Sequence, residues 1–376
     1  MLRRLYRYFV ALCYSLFSFL FRIKRDRIVF CSGGYDGLHG NLYYLAKHAK
    51  AQGRLQVCVI CSRPSKARRL LKDKQVETAY ANSPRAAFML ATVKYLVTDS
   101  VFPAYVSKRE GQVILNTWHG TPVKRMGFHV ATALHEAEKL RKQFMMADVL
   151  LFQNDYSKMT MYEAYRLMDE TKAVVMGSPR NEAFFRDRSA MRRLLGLDKK
   201  RVYAYMPTWR GANSNETDEE FMTELHGILK ELDSFQCDDA VVFYKLHSFI
   251  CKAKNMSFRF ARLRPFPAEL ETYEFLSVVD CLITDYSSVI FDFVVTGREI
   301  VLLPFDEGRY ERDRGLYIKL EDLPFERFYC VQELCKHIST DMAFTMTDEY
   351  ERFRLKYCYS DSPDAAIKVM KHITDM

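Results

Sequence analysis

The chain has 376 residues, 49% of them apolar, which is enough for two cores and argues against a disordered or low-complexity protein. Its ten cysteines lack framework spacing, and the one CxxC, Cys58 and Cys61, lies inside the strand-like run LQVCVIC; buried thiols in a reducing compartment fit better than disulfides or zinc. The formal charge of +9 comes without the aromatic-and-basic interleaving of an RNA-binding surface, so nucleic acid is set aside in favour of an anionic membrane or a phosphate-rich substrate.

Residues 1–26 predict an amphipathic helix. On a helical wheel Arg4, Arg7, Ala11, Ser15, Ser18, Arg22 and Arg25 share one face, and Leu2, Leu5, Phe9, Leu12, Leu16, Leu20 and Ile23 share the opposite one. The uncharged run Phe9 to Phe21 is short for roughly 30 Å of hydrocarbon, and basic residues follow where a cleavage site would need small ones. The segment therefore reads as lying in a bilayer interface, with docking on the protein's own surface as the alternative. Next come a strand at Arg27–Ser32, a Gly33-Gly34-Tyr35-Asp36-Gly37 loop without GxGxxG spacing, and a helix from about Asn41. Strands recur near 55–60, 94–98, 112–117, 148–152 and 172–176 with helical patterns between them. This is the alternation of a parallel sheet covered on both faces.

The 112–117 strand runs into Trp118-His119-Gly120-Thr121-Pro122 and then Lys124-Arg125. Glycine permits close approach of a ligand to the backbone, proline sets the turn, and a histidine just past a strand end can serve as a general base near neutral pH. A linker is expected near Ser178–Leu197, and the polar stretch Gly211–Glu220 reads as a loop. Two strands follow, VYAYMPTWR ending at Arg210 and VVFYKLH ending at Lys245 and His247. The run Val278–Ile283 then breaks at Thr284-Asp285-Tyr286, and Ser287 and Ser288 open a new apolar-periodic stretch. A strand entering a helix through a hydroxyl-rich turn offers unpaired N–H groups to an anion, although the same serines also serve as ordinary helix caps. The sequences KYLVTDS (94–100) and CLITDYSS (281–288) echo one another, each followed by another strand, which suggests two Rossmann-like halves.

With these segments in view, the chain resembles the CDP-glycerol glycerophosphotransferase family of bacterial teichoic-acid and capsule synthesis. The matching runs are TWHGTPVKRMG (117–127), GSPRNEAFF (177–185), YMPTWR (205–210), KLH (245–247), ITDYSSVIFDF (283–293) and RGLY (314–317), in the family's order. Two departures stand: Ser248 follows His247 where the family usually has proline, and Gly40-Asn41 occupies the place of an expected Asp-Asn pair.

The resemblance implies an α/β protein with two Rossmann-like domains facing a cleft, GT-B-like, behind an N-terminal amphipathic helix. The expected divisions are 1–26 for that helix, 27–190 for an acceptor domain, 191–345 for a CDP-polyol domain, and 346–376 for a helical end packing back on the first domain. The expected reaction transfers glycerol phosphate from CDP-glycerol to a hydroxyl of a lipid-linked saccharide or polyol-phosphate acceptor, with release of CMP, on the cytoplasmic face of the membrane. CDP-ribitol as donor, or a GT-B glycosyltransferase using a nucleotide sugar, are the rival readings. His119 is the expected base. His247, Lys245 and Arg210 are expected to neutralise the diphosphate, and Thr284, Ser287, Ser288, Lys124, Gly120, Thr121 and Arg314 to line the substrate. No bound metal is required by any Asp-x-Asp cluster, and Mg2+ is left open as an aid in solution.

Overall fold

The computed structural model describes residues 2–32, 37–210, 219–235, 239–246, 259–340 and 343–376. Residues 33–36 of the expected Gly33–Gly37 loop, most of Gly211–Glu220, and His247 and Ser248 lie outside the described residues. The chain separates into two compact units. Unit 1 is Met1–Thr121, Met126–Ala183 and Ser360–Met376; unit 2 is Pro122–Arg125 and Phe184–Tyr359. The expected division at 190/191 and the return at 346 compare with Ala183/Phe184 and Tyr359/Ser360 here.

Unit 1 is built on a seven-stranded sheet of β1 (Lys24–Cys31), β2 (Gln56–Ile60), β3 (Glu77–Ala79), β4 (Val93–Thr98), β5 (Val113–Asn116), β6 (Val149–Phe152) and β7 (Ala173–Val175). Every pairing is parallel, and the spatial order is β3-β2-β1-β4-β5-β6-β7. The central strands are almost wholly apolar because helices cover both faces, which is why they read as continuous rather than alternating runs. The order reverses between β1 and β4, so a crevice opens beyond their carboxyl ends, the usual ligand position in such sheets.

The helices of unit 1 include α1 (Leu2–Leu20), α2 (Gly40–Gln52), α3 (Pro64–Leu70), α4 (Pro84–Thr92), α5 (Leu134–Met146) and α6 (Asp155–Tyr165). Pro84 at the first turn and the Ser83 hydroxyl, which accepts from the Ala86 N–H, start α4 in ordinary fashion. Helix α1 packs on α4, and the wheel gains a third face. Val10 and Tyr14 are buried, and Phe17 meets Phe88 edge-on at 5.4 Å. The face carrying Leu2, Leu5, Phe9, Leu12, Leu16 and Leu20 stays outside, with Leu2 81% and Leu12 68% exposed. Docking and an exposed leucine face thus coexist. Among the described residues no helix is long and apolar enough to cross a membrane.

Unit 2 carries a six-stranded parallel sheet of β8 (Arg201–Tyr205), β9 (Ala240–Tyr244), β10 (Arg264–Pro265), β11 (Cys281–Thr284), β12 (Glu299–Leu302) and β13 (Glu326–Arg327) in the order β10-β9-β8-β11-β12-β13. Its reversal falls between β8 and β11, the strands that deliver Arg210 and the Asp285–Ser288 turn. The final segment returns to unit 1, where helix Ala365–Thr374 packs on α2 and Gly177 admits it. Gly177 has φ +74°, and a Cβ there would collide with the Ser360 carbonyl.

Candidate functional site

In unit 1 the polar residues collect just beyond β4 and β5. The Thr98 hydroxyl donates to the Cys31 carbonyl at 2.8 Å, tying the ends of β4 and β1 together and placing Asp99 at the crevice. The turn after β5 is shaped by Asn116, whose side chain accepts from the Trp118 N–H at 2.9 Å. Trp118 takes φ +49°, a rare conformation for a bulky residue, and is held there by packing against Phe144 and Tyr165. Its ring centroid lies 3.9 Å from that of His119, the two rings tilted by 32°.

His119 Nδ1 lies 3.0 Å from the Asp99 carbonyl oxygen. A carbonyl only accepts, so Nδ1 carries the hydrogen and Nε2 keeps a lone pair for use as a base. Solvent reaches part of the ring, yet the dense surround removes enough water to lower its pKa from the ordinary imidazole value; the Asp99 carbonyl and carboxylate oppose this, while Arg180 and His39 reinforce it. Low basicity keeps the neutral form available at and below neutral pH.

Three neighbours had no place in the sequence-based set. His39, at the start of α2, lies 3.8 Å from the Asp99 carboxylate. Arg180, from the GSPRN run, is buried and donates its backbone N–H to the Asn41 side chain at 3.2 Å. Asp99 itself was visible only as part of the KYLVTDS echo. Gly40 and Asn41, the departure from the family pattern, therefore flank this cluster.

Thr121 differs from expectation. It is fully buried, and its hydroxyl donates to Gln153 at 2.9 Å while accepting from Ser157 at 2.9 Å and Asn154 at 3.3 Å. It anchors the His-Gly-Thr turn from behind through these internal bonds. Gly120 is half-exposed on the same turn.

In unit 2 the Thr284 hydroxyl donates to the Met206 carbonyl at 2.6 Å, the same device that Thr98 uses. Thr284 is fully buried, and its hydroxyl braces the turn. Arg210, expected beside the diphosphate, is engaged within unit 2 itself. Its guanidinium is 95% buried and bonds Asp306 at 2.6 and 2.9 Å and Asp285 at 2.8 Å. The rings of Tyr286 and Tyr310, stacked at 3.9 Å, lie 4.8 and 4.7 Å from the guanidinium carbon. Asp285 also accepts from the N–H groups of Thr208 and Tyr286. Burial tends to raise the Asp306 carboxyl, but Arg210's hydrogen bonds and charge outweigh it and hold that carboxyl below the usual range. Arg210 therefore fixes the Asp285 turn and presents no uncompensated cation.

That part falls to Lys124 and Arg314. Val123–Arg125 runs antiparallel to Gly315–Tyr317: the Arg125 N–H donates to the Gly315 carbonyl at 3.0 Å, and the Tyr317 N–H to the Val123 carbonyl at 2.8 Å. The pairing joins the PVKR and RGLY runs and brings Lys124 within the field of Arg314. Burial first, and Arg314 second, lower the Lys124 pKa to about 8, with Asp285 opposing. Among the described residues neither cation has a carboxylate within ion-pair distance. Lys245 stands at the end of β9 with its ammonium 5.6 Å from the Phe266 ring. The Ser287 hydroxyl accepts from the Val289 N–H at 3.3 Å, and Ser288 makes no side-chain cap bond. Among the described residues no group of three or more His, Cys, Asp or Glu is arranged to hold a metal ion.

The model of the CDP-glycerol:poly(glycerophosphate) glycerophosphotransferase family matches residues 12–375. The chain belongs to this family. It is 29% identical over 279 residues to a teichoic acid poly(glycerol phosphate) polymerase of Staphylococcus epidermidis, a match covering 66% of this chain and 36% of that protein. It is also 24% identical over 337 residues to a teichoic acid glycerol-phosphate transferase of Staphylococcus aureus, covering 81% of each. The chain thus spans about a third of the first relative and most of the second. Its fold is similar to that of the wall teichoic acid polymerase TagF, with a TM-score of 0.78 at 23% identity over 97% of this chain and 93% of that one; that structure followed a soak with CDPG.

Proposed function

We propose that this chain transfers glycerol phosphate from CDP-glycerol to a hydroxyl of a membrane-linked acceptor, releasing CMP, in the synthesis of a teichoic-acid or capsular polymer. The observation that carries the reading is the His119 arrangement: a neutral imidazole with Nδ1 on a backbone carbonyl and Nε2 open, in a chain of this family. In this mechanism the acceptor oxygen forms a bond to the glycerol-bearing phosphorus as the bond to CMP breaks. The hydroxyl proton passes to His119 Nε2, and CMP departs as a phosphate that needs no protonation. Lys124 and Arg314 are assigned to the diphosphate charge, with Lys245, His247, Ser287 and Ser288 as further ligands and Arg210 as the brace of that wall. Membrane seating is assigned to α1, whose exposed leucines and neighbouring arginines suit an anionic bilayer at the cytoplasmic face.

The test is a donor panel. Purified protein is offered CDP-glycerol, CDP-ribitol and nucleotide sugars with a lipid-linked or soluble acceptor, with and without Mg2+. Release of CMP from CDP-glycerol supports the proposal. Release of UDP or another nucleotide from a sugar donor, with CDP-glycerol inert, overturns it.

A further inference from the structure

On unit 1, α1, the loop after β4 and α5 enclose a groove of about 770 Å3 whose lining includes none of the residues assigned to the transfer. One wall carries Arg4 and Arg7, the other Lys139 and Lys142, and the floor is apolar, made by residues such as Phe102 and Pro103. The floor is held from both sides. Tyr14 of α1 donates to the Ser107 carbonyl and packs on Tyr105 at 5.5 Å, while the Gln143 side chain of α5 accepts from the Phe102 N–H at 3.1 Å. Among the described residues the ion pair on these four cations is the weak Lys139–Glu136 contact, 3.9 Å with both side chains exposed.

Cations at the walls with hydrocarbon at the base match an amphiphile with an anionic head. A sugar phosphate or free phosphate has nothing to place on an apolar floor. The volume lies in the range of pre-formed small-molecule sites. Helix α1 supplies both this wall and, on its next face, the exposed Leu5, Leu12 and Leu16. We propose that the groove binds one anionic phospholipid, its phosphate among Arg4, Arg7, Lys139 and Lys142 and the start of its acyl chains on the floor. The proposal rests on the membrane seating of α1 for its biological setting, and goes beyond it by naming a stoichiometric lipid site.

The full-length chain is titrated calorimetrically with dihexanoyl phosphatidylglycerol kept monomeric, with dihexanoyl phosphatidylcholine, and with inorganic phosphate. The expected result is saturable one-to-one binding of the first only. Lys139→Ala/Lys142→Ala, both at exposed positions on α5, should weaken it by about tenfold or more through loss of charge-assisted contacts. Equal binding of inorganic phosphate, equal binding of the zwitterionic lipid, or an unchanged affinity in the folded double variant overturns the proposal. Seating is read separately, as co-sedimentation of Leu12→Glu/Leu16→Glu with anionic vesicles. Its failure to respond would remove the seating and leave the monomeric-lipid result to stand or fall alone.

Discussion

Units 1 and 2 use the same turn at their topological switch points and reach opposite electrostatic ends. Thr98 and Thr284 each donate to the carbonyl at the end of the neighbouring strand, and an aspartate follows each. In unit 1 the backbone carbonyl of Asp99 orients an exposed histidine, so a reactive nitrogen is left open. In unit 2 the carboxylate of Asp285 turns inward to Arg210, which Asp306 and two stacked tyrosines complete, so the charges answer one another. One βα geometry therefore leaves a ring nitrogen open to solvent when its polar groups face outward. It yields a rigid frame when they face inward.

The comparison breaks most easily at His119. His119→Ala should cut turnover by about two to four orders of magnitude, the range for loss of a general base, with little change in CDP-glycerol affinity. A variant with near-wild-type turnover would remove the contrast altogether. The frame of unit 2 should show its effect in stability. Arg210→Met removes the guanidinium between two buried carboxylates, leaving Asp285 with backbone N–H donors alone and Asp306 with the 3.5 Å contact to Arg309 and the Tyr286 hydroxyl, which costs about 3–5 kcal/mol by the general behaviour of broken buried pairs, read in chemical denaturation. The same frame should fail in acid. The Asp306 carboxyl is held below its ordinary value, so its stabilising contribution is complete above the unfolded-state pKa and is lost as pH falls through the folded one. Denaturation midpoints from neutral to acid pH check this, and Asp306→Asn should flatten the dependence.

A smaller effect sharpens the assignment of the free cations. With the Lys124 pKa at about 8, CMP affinity should decline as pH rises through that value, by about tenfold for one charge-assisted contact, whereas Lys124→Arg should shift the decline to higher pH. Calorimetry across that range decides it. The smallest effect belongs to Ser288, whose hydroxyl caps nothing. Ser288→Ala should leave stability within about 0.5 kcal/mol while weakening CMP binding, and a loss of stability alone would make it a structural residue.

Much of this was legible in the chain. Long apolar runs between helical patterns gave the parallel sheets, and the strand-end motifs located both switch points. The edge strands β3, β10 and β13 span only two or three residues, too few for any period to register. Arg210 read as a free cation because its partners lie 75 and 96 residues downstream, and only the sheet order unites them. Thr121 and Thr284 read as ligands because a hydroxyl beside a glycine or serine turn looks the same whether it braces the turn or lines it. The role of Asp99 lies in its carbonyl, which every residue possesses, so no side-chain pattern announces it. Helix α1 showed two faces on the wheel, and its third, Val10 and Tyr14, emerged only with α4 in place.

The return of Ser360–Met376 to unit 1 has a consequence for how the molecule is made. Helix Ala365–Thr374 rests on α2, and Ser360 closes over Gly177, so unit 1 takes its final form from residues that a ribosome adds after all of unit 2. Unit 2 can mature on the nascent chain once Tyr359 has emerged, but it includes Pro122–Arg125, a piece taken from within the span of unit 1. Unit 1 thus waits on a segment encoded after unit 2, whereas the segment unit 2 takes from within unit 1's span is synthesised before the rest of unit 2. The α2 surface therefore closes only after the whole of unit 2 has been synthesised.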